Sequence, residues 1–381
     1  MSIEDRPGKG TLPAARKRAD GGLAHRPHRG RREASIAGAR GQVQVLKVAC
    51  VGAGYFSSFH LDAWVRIENT QVVGVADQDR KALRARAHGF AHFAEASVLF
   101  GAETPDIVDI ITPPPTHLGL IREALRTCPR AIVCQKPFCQ DLAEAERAVG
   151  LAEEAQIPLI IHENFRFQPW YRVLKDMLVQ GGFGEVLQVT FRLRPGDGQG
   201  PDAYLDRQPY FQKMPRFLIH ETAVHWIDTF RFLLGQPDTV WADLRRLNPV
   251  IAGEDAGLVV FGYADGKCAL FDGNRLSDHP AANRRRTMGE CLIEGTKMTA
   301  MLDGDGRIFI RSFGSNDWSP HPFEAPETGF GGDCVHALQS HVVAHLETGS
   351  SLENEARDYL AVIRMEEAIY RSHETRQRIT L

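Results

Sequence analysis

The chain has 381 residues, of which 43% are hydrophobic and 24% charged, and a formal net charge of −3. This is the length of two ordinary domains and the balance of a globular protein in water. A near-neutral charge gives no global field for nucleic acid, and no apolar run reaches the ~18 residues of a membrane helix.

The first 45 residues stand apart, with ten Lys or Arg against four Asp or Glu and little apolar periodicity. Such a segment buries too little surface to offset the entropy of ordering. It lacks the apolar region of a secretory signal. It reads as a disordered basic tail, or as residues upstream of a misassigned start; a basic arm that touches a polyanion is the other reading.

Alternation begins at residue 46. The apolar run 45–51 reads as a buried parallel strand ending at Gly52, followed by a helix from Phe56 to Val65. Strands follow at 72–76, 107–111, 131–134 and 158–161, and helices at 81–88, 117–127 and 142–155. Strictly alternating strand and helix predict a doubly wound parallel sheet, a Rossmann fold, over 46–165. Beyond 165 the period changes to two. Strands at 186–193, 240–244, 258–263, 268–271, 291–294, 297–302 and 308–310 predict a large, mainly antiparallel sheet in an α+β domain over 166–330. Asp265-Gly266 marks one of its hairpins. Apolar spacing through Leu338, Val342, Leu346, Leu360 and Ile363 predicts helices over 331–381.

Three sites carry chemistry. In Gly52-Ala53-Gly54-Tyr55-Phe56-Ser57, two glycines after a strand permit a tight turn and close approach of a pyrophosphate, and the following helix points its N-terminus at that phosphate. Ser57 stands where a full fingerprint has glycine, yet is small enough for close helix packing. Asp77 ends the next strand, 25 residues after Gly52, where a carboxylate accepts from the adenosine ribose. Gln78 follows, with no Arg for a 2′-phosphate, so NAD is favoured and NADP stays open. A structural turn that binds nothing is the bland alternative.

The second site is Gln135-Lys136-Pro137, at the carboxyl end of a strand, where such sheets bind ligands. The Lys136 ammonium there can hydrogen-bond a substrate hydroxyl and stabilise a developing alkoxide. The third runs from His220 to Asp228. Glu221 and His225 are four apart, share a helix face, and suit proton abstraction from an alcohol. His220 and His225 are five apart, the wrong spacing for a His-Glu-x-x-His metal site, and the seven cysteines form no Cys-x-x-Cys pair. Reduced thiols in a cytoplasmic enzyme without a metal site are the simpler reading.

Together these motifs resemble the Gfo/Idh/MocA family of oxidoreductases, which includes glucose–fructose oxidoreductase and inositol dehydrogenase. The resemblance covers roughly residues 46–381. It rests on Gly52-x-Gly54, Thr112-Pro113-Pro114-Pro115-Thr116-His117, Lys136-Pro137, His225-x-x-Asp228 and the closing Glu366-Glu367-Ala368-Ile369-Tyr370-x-Ser372. It implies an NAD-dependent dehydrogenase that oxidises a sugar or polyol hydroxyl, with Lys136, His225 and Glu221 as the catalytic group. Gln135 departs from the family's usual glutamate, and Glu221 from its aspartate. The resemblance assigns Gly52, Gly54, Tyr55, Phe56, Asp77, Thr112, Pro113, His117, Gln135 and Lys136 to the cofactor. Asn164, Arg166 and His225 are the candidate substrate contacts, and Arg166 is equally a candidate ion-pair partner. It also implies a homodimer or tetramer through the second sheet, with the C-terminal helices returning to the Rossmann domain.

Cys134-Gln135-Lys136-Pro137-Phe138, His162-Glu163-Asn164-Phe165-Arg166 and Asn248-Pro249-x-x-x-Gly253-Glu254-Asp255 are similar to D-apiose dehydrogenase-type members, which oxidise a branched pentose to its lactone. An inositol-type polyol dehydrogenase and a non-catalytic sensor of NAD or sugar are the alternatives.

Overall fold

Six short apolar strands form a parallel sheet in the computed structural model, which describes residues 45–381. They are β1 (Leu46–Val51), β2 (Thr70–Ala76), β3 (His92–Phe93), β4 (Ile107–Ile110), β5 (Ala131–Gln135) and β6 (Leu159–His162). The order is β3-β2-β1-β4-β5-β6, so the chain reverses direction between β1 and β4. That reversal opens a crevice at the carboxyl ends of the central strands, where such sheets take ligands. The strands read as continuous apolar runs because helices cover both faces. Those helices are α1 (Ser57–Arg66), α2 (Arg80–Arg86), α3 (Ala96–Glu103), α4 (His117–Leu125) and α5 (Leu142–Glu154). Asp141 caps α5 by accepting from the Glu144 amide at 2.8 Å, and the Glu144 carboxylate accepts from the Gln140 amide at 3.3 Å, so both side chains fix the backbone at the entrance of the helix. The basic tail read over 1–45 falls, Val45 apart, outside the described residues.

The second sheet is larger. After α6 (Pro169–Val179) come β7 (Val186–Leu193), α7 (Val224–Leu234), β8 (Thr239–Arg245), β9 (Ala256–Gly262), β10 (Cys268–Asn274), β11 (Gly289–Gly295), β12 (Met298–Leu302), β13 (Ile308–Ser312) and β14 (Ser319–His321). Two helices follow, α8 (Cys334–Thr348) and α9 (Ala356–Thr375), and β15 (Ile379–Thr380) closes the chain. The sheet order is β14-β13-β12-β11-β7-β10-β9-β8-β15. It is mixed rather than uniformly antiparallel: β7 and β10 run parallel, while the other neighbouring pairs of this sheet are antiparallel. The strictly alternating burial of β10 and β11 sets one face on the core and leaves the other half-exposed.

The inner face of that sheet packs on α7, with Trp226 stacked on Phe191 at 4.2 Å and near Phe271. Helix α8 returns to the first sheet and lies against α1, where Arg66 holds Asp333 through two bonds of 2.7 Å. Helix α9 does not simply follow it. It spans α5 on one side and β8 on the other, so it ties the two sheets together. Among the described residues no helix is long and apolar enough to cross a membrane.

Candidate active site

The glycine-rich turn sits at the carboxyl end of β1, at the reversal of strand order. Gly52 has φ +109°, and a Cβ there would lie 3.0 Å from the Ile111 carbonyl carbon. Only glycine fits, and the turn keeps open the space a side chain would fill. Ser57 is fully buried and donates its hydroxyl to the Gly54 carbonyl at 2.7 Å, so it bonds the turn as well as packing closely. Asp77, just past β2, accepts from the Ala53 amide at 2.6 Å and the Asp79 amide at 2.7 Å. Its carboxylate is thereby fixed at the rim of a cleft of about 460 Å³ lined by Ala76, Asp77, Gln78, Thr112 and Pro113. The turn without a Cβ, the cleft and the aimed carboxylate fit an adenine dinucleotide.

Other residues assigned to the cofactor are placed differently. His117 is buried; its Nε2 donates to the Thr112 carbonyl at 2.7 Å and its Nδ1 accepts from the Cys139 amide at 3.3 Å. Both nitrogens are used, and burial pulls the imidazole down to about 4, so it stays neutral. His117 is a brace for the loop that carries Thr112, which corrects its reading as a cofactor contact. Gln135 is engaged too. Its Oε1 accepts from the Lys136 amide at 2.8 Å and its Nε2 donates to His60 Nε2 at 3.0 Å. His60 in turn donates through Nδ1 to buried Asp109 at 2.8 Å, which also accepts from Trp64 at 2.7 Å. Phe56 turns its ring into an aromatic cluster with Phe59 and Phe330, so only its backbone faces the turn.

The catalytic candidates converge from distant segments. Lys136 follows β5, with a cis peptide bond to Pro137. Its Nζ donates to the Glu221 carbonyl at 2.6 Å and to Glu221 Oε1 at 3.0 Å. His225 lies in the first turn of α7, stacked on Phe165 at 3.8 Å with rings 6° from parallel. Its Nδ1 bonds Glu163 Oε1 at 2.5 Å. The partner expected for His225, Glu221, is therefore corrected to Glu163. Residues Leu218–Ala223 form a π-helical turn ahead of α7, and that wider turn breaks the 3.6-residue spacing that aligns positions four apart. Glu221 is carried onto Lys136 instead, and the carboxylate that serves His225 comes from the end of β6.

Burial dominates the protonation of this pair. It holds the His225 imidazole well below its ordinary range, and the Lys136 charge pushes the same way. Burial raises the Glu163 carboxyl to about 7, against the pull of Lys136. Tyr359 lies 3.4 Å from Glu163 Oε2, and the Phe165 amide donates to Oε1 at 3.2 Å. With Glu163 ionised, Nδ1 carries the hydrogen and Nε2, which has no protein partner among the described residues, is left with a lone pair.

Glu163 is the residue sequence reasoning missed. It stands in a quoted motif, but nothing in its spacing points to His225, 62 residues on. Of the two readings of Arg166, the geometry favours the ion-pair partner. Its guanidinium makes two bonds to buried Asp228, of 2.8 and 2.6 Å, and its third nitrogen lies 3.6 Å from Glu353. All its nitrogens are occupied, so it holds β6 to α7 rather than a substrate. Asn164 keeps its candidacy: it is buried, and its Nδ2 has no partner among the described residues. His220 bonds Glu366 at 2.7 Å, and no group of His, Cys, Asp and Glu among the described residues could hold a metal ion.

Comparison with known proteins fits this geometry. Residues 46–162 match the model of an oxidoreductase family with an NAD-binding Rossmann fold, and residues 171–300 match the GFO/IDH/MocA C-terminal domain. A D-apiose dehydrogenase of Paraburkholderia graminis is 31% identical, over 87% of this chain and 88% of its own length. An inositol 2-dehydrogenase of Rhizobium meliloti is 23% identical over 88% of this chain and 99% of its own. An oxidoreductase from Agrobacterium radiobacter, solved with NAD+, L-tartaric acid and magnesium, superposes with TM-score 0.79 at 27% identity, covering 88% of this chain and 98% of that one.

Proposed function

The chain belongs to the Gfo/Idh/MocA family of NAD-binding oxidoreductases, and from that premise we propose that it oxidises a hydroxyl of a sugar or polyol. The observation that carries the reading is His225, with Nδ1 held by Glu163 and Nε2 free beside Lys136. His225 Nε2 takes the hydroxyl proton. Glu163 accepts the Nδ1 hydrogen throughout and stabilises the imidazolium that forms. Lys136 spends two of its three hydrogens on Glu221 and donates the third to the hydroxyl oxygen, where charge develops. NAD, held at the glycine-rich turn and Asp77, would supply the hydride acceptor for the carbon that bears this hydroxyl. Glu221 acts on Lys136, not on His225, and Asn164 binds a neighbouring hydroxyl through its unpartnered amide nitrogen.

The favoured substrate is D-apiose or a related aldose, oxidised at the anomeric carbon to a lactone. Its support is the 31% identical relative and the match across both parts of the chain. The test is a panel of D-apiose, other aldoses and inositols with NAD and NADP, read at the absorbance of reduced nicotinamide. Turnover of an aldose with NAD, abolished in His225→Ala and Lys136→Met, supports the reading. Turnover of inositols alone points to the polyol alternative, and binding without reduction points to a sensor.

The same reading makes the protein a cytoplasmic homo-oligomer. Its seven cysteines are unpaired. Met301, Leu292, Thr190, Leu270, Val260 and Trp241 stand in register across six strands on the half-exposed face of the second sheet. An apolar row of this kind is suited to a second copy of the sheet. Light scattering after size exclusion reads the assembly, and a monomer overturns it.

A further inference from the structure

Between β10 and β11 the chain carries three successive arginines, Arg284, Arg285 and Arg286. Two of them have carboxylate partners. Arg284 pairs with Asp278 at 2.9 Å, and Arg286 lies 3.7 Å from Glu327. Arg285, among the described residues, has none. It crosses from the second sheet to the glycine-rich turn of the first, where its Nη1 donates to the Tyr55 hydroxyl at 2.5 Å. Its guanidinium lies 5.5 Å from the Tyr55 ring centre and 5.8 Å from that of Phe330. Tyr55 is the residue after Gly54, at the entrance to α1.

We propose that Arg285 is a clamp for the pyrophosphate of NAD, reaching the dinucleotide from the opposite sheet. The bridge of a dinucleotide brings two negative charges to this turn, and α1 meets them with only its partial positive end. A full cation is 230 residues away in sequence but parked on the turn itself. Its present acceptor is a neutral phenol, which engages one of five N–H groups and leaves the others for phosphate oxygens. The two aromatic rings hold the planar guanidinium in place without neutralising it. Unlike both its neighbours in the run, Arg285 has, among the described residues, no carboxylate beside it to neutralise its charge.

The test reads binding, not turnover, so its outcome does not depend on the substrate. NADH affinity is measured by quenching of tryptophan fluorescence, with ADP-ribose and adenosine as competitors. Arg285→Gln is expected to weaken NADH and ADP-ribose by the same factor, about tenfold or more, while adenosine, which has no phosphate, binds as before. Arg285→Lys, which keeps the charge but not the fork, recovers part of the loss. The salt dependence of NADH binding becomes shallower in Arg285→Gln. Unchanged affinity for NADH and ADP-ribose overturns the proposal. An equal loss for adenosine also overturns it, since Arg285 would then be shaping the turn and not meeting the phosphates.

Discussion

The glycine-rich turn and the catalytic cluster lie at carboxyl ends of strands in one sheet, but they are assembled differently. In the turn, Ser57 bonds a group three residues away and Asp77 one 24 residues away. One strand–helix–strand unit supplies both of these bonds. Around His225 the bonds span 62 residues to Glu163, and Lys136 reaches 85 residues to Glu221. Three segments must dock before these groups have their partners. A mutation in the turn should therefore act on cofactor binding alone, and one in the cluster on chemistry, pH dependence or the docking itself.

The largest effects are expected in the cluster. His225→Ala and Lys136→Met should lower kcat by about 10²- to 10⁴-fold, the usual contribution of a positioned acid or base, with NADH affinity little changed. Steady-state rates beside a binding titration check the split; near wild-type kcat in both variants breaks the comparison. Next is the docking bond. Asp228→Ala removes both hydrogen bonds of the buried Arg166 and leaves it only the longer ion pair to Glu353, which should cost up to about 3–5 kcal/mol of stability, read as the midpoint in a urea titration.

Glu163→Gln keeps the shape but removes the charge beside the imidazole. A charge-assisted hydrogen bond contributes about 1.5–3 kcal/mol, so kcat should fall roughly ten- to a hundredfold. Glu221→Gln should affect the Lys136-dependent step and leave the pH profile in place. That profile has a definite sign. The Glu163 carboxyl is raised to about 7, so at lower pH the pair holds an extra proton and Nε2 loses its lone pair. For oxidation, kcat/KM should rise with pH through about 7 in the wild type, and this limb should vanish in Glu163→Gln. The smallest change is Gly52→Ala, which forces a side chain onto φ +109° and against the Ile111 backbone. Strain of about 1–3 kcal/mol should appear as weaker NADH binding with kcat preserved at saturation.

Most of the first sheet was legible, because buried parallel strands are unbroken apolar runs punctuated by glycine. Strand β7 occupies the range its period predicts, Val186–Leu193. The short β3, β14 and β15 were not legible, since two or three residues carry no period. Helix α6 was overlooked although Pro169 at its first position is an ordinary start signal. The parallel pairing of β7 with β10 was hidden for another reason: periodicity sets which face is buried, not which strand lies alongside.

The sequence by itself located the candidate nucleotide site: Gly52, Gly54 and Asp77 lie within a unit held by local turns and backbone bonds, so spacing translates directly into geometry. It also singled out Lys136 and His225, the two residues to which the proposed function gives the chemistry. Only the tertiary structure decided which carboxylate serves which of them. A π-helical turn at Leu218–Ala223 rotates Glu221 onto Lys136, and the docking of α7 on β6 brings Glu163 to His225 and Asp228 to Arg166. Helix periodicity predicts neighbours only while the helix is regular, and contacts between segments depend on packing that no local pattern encodes.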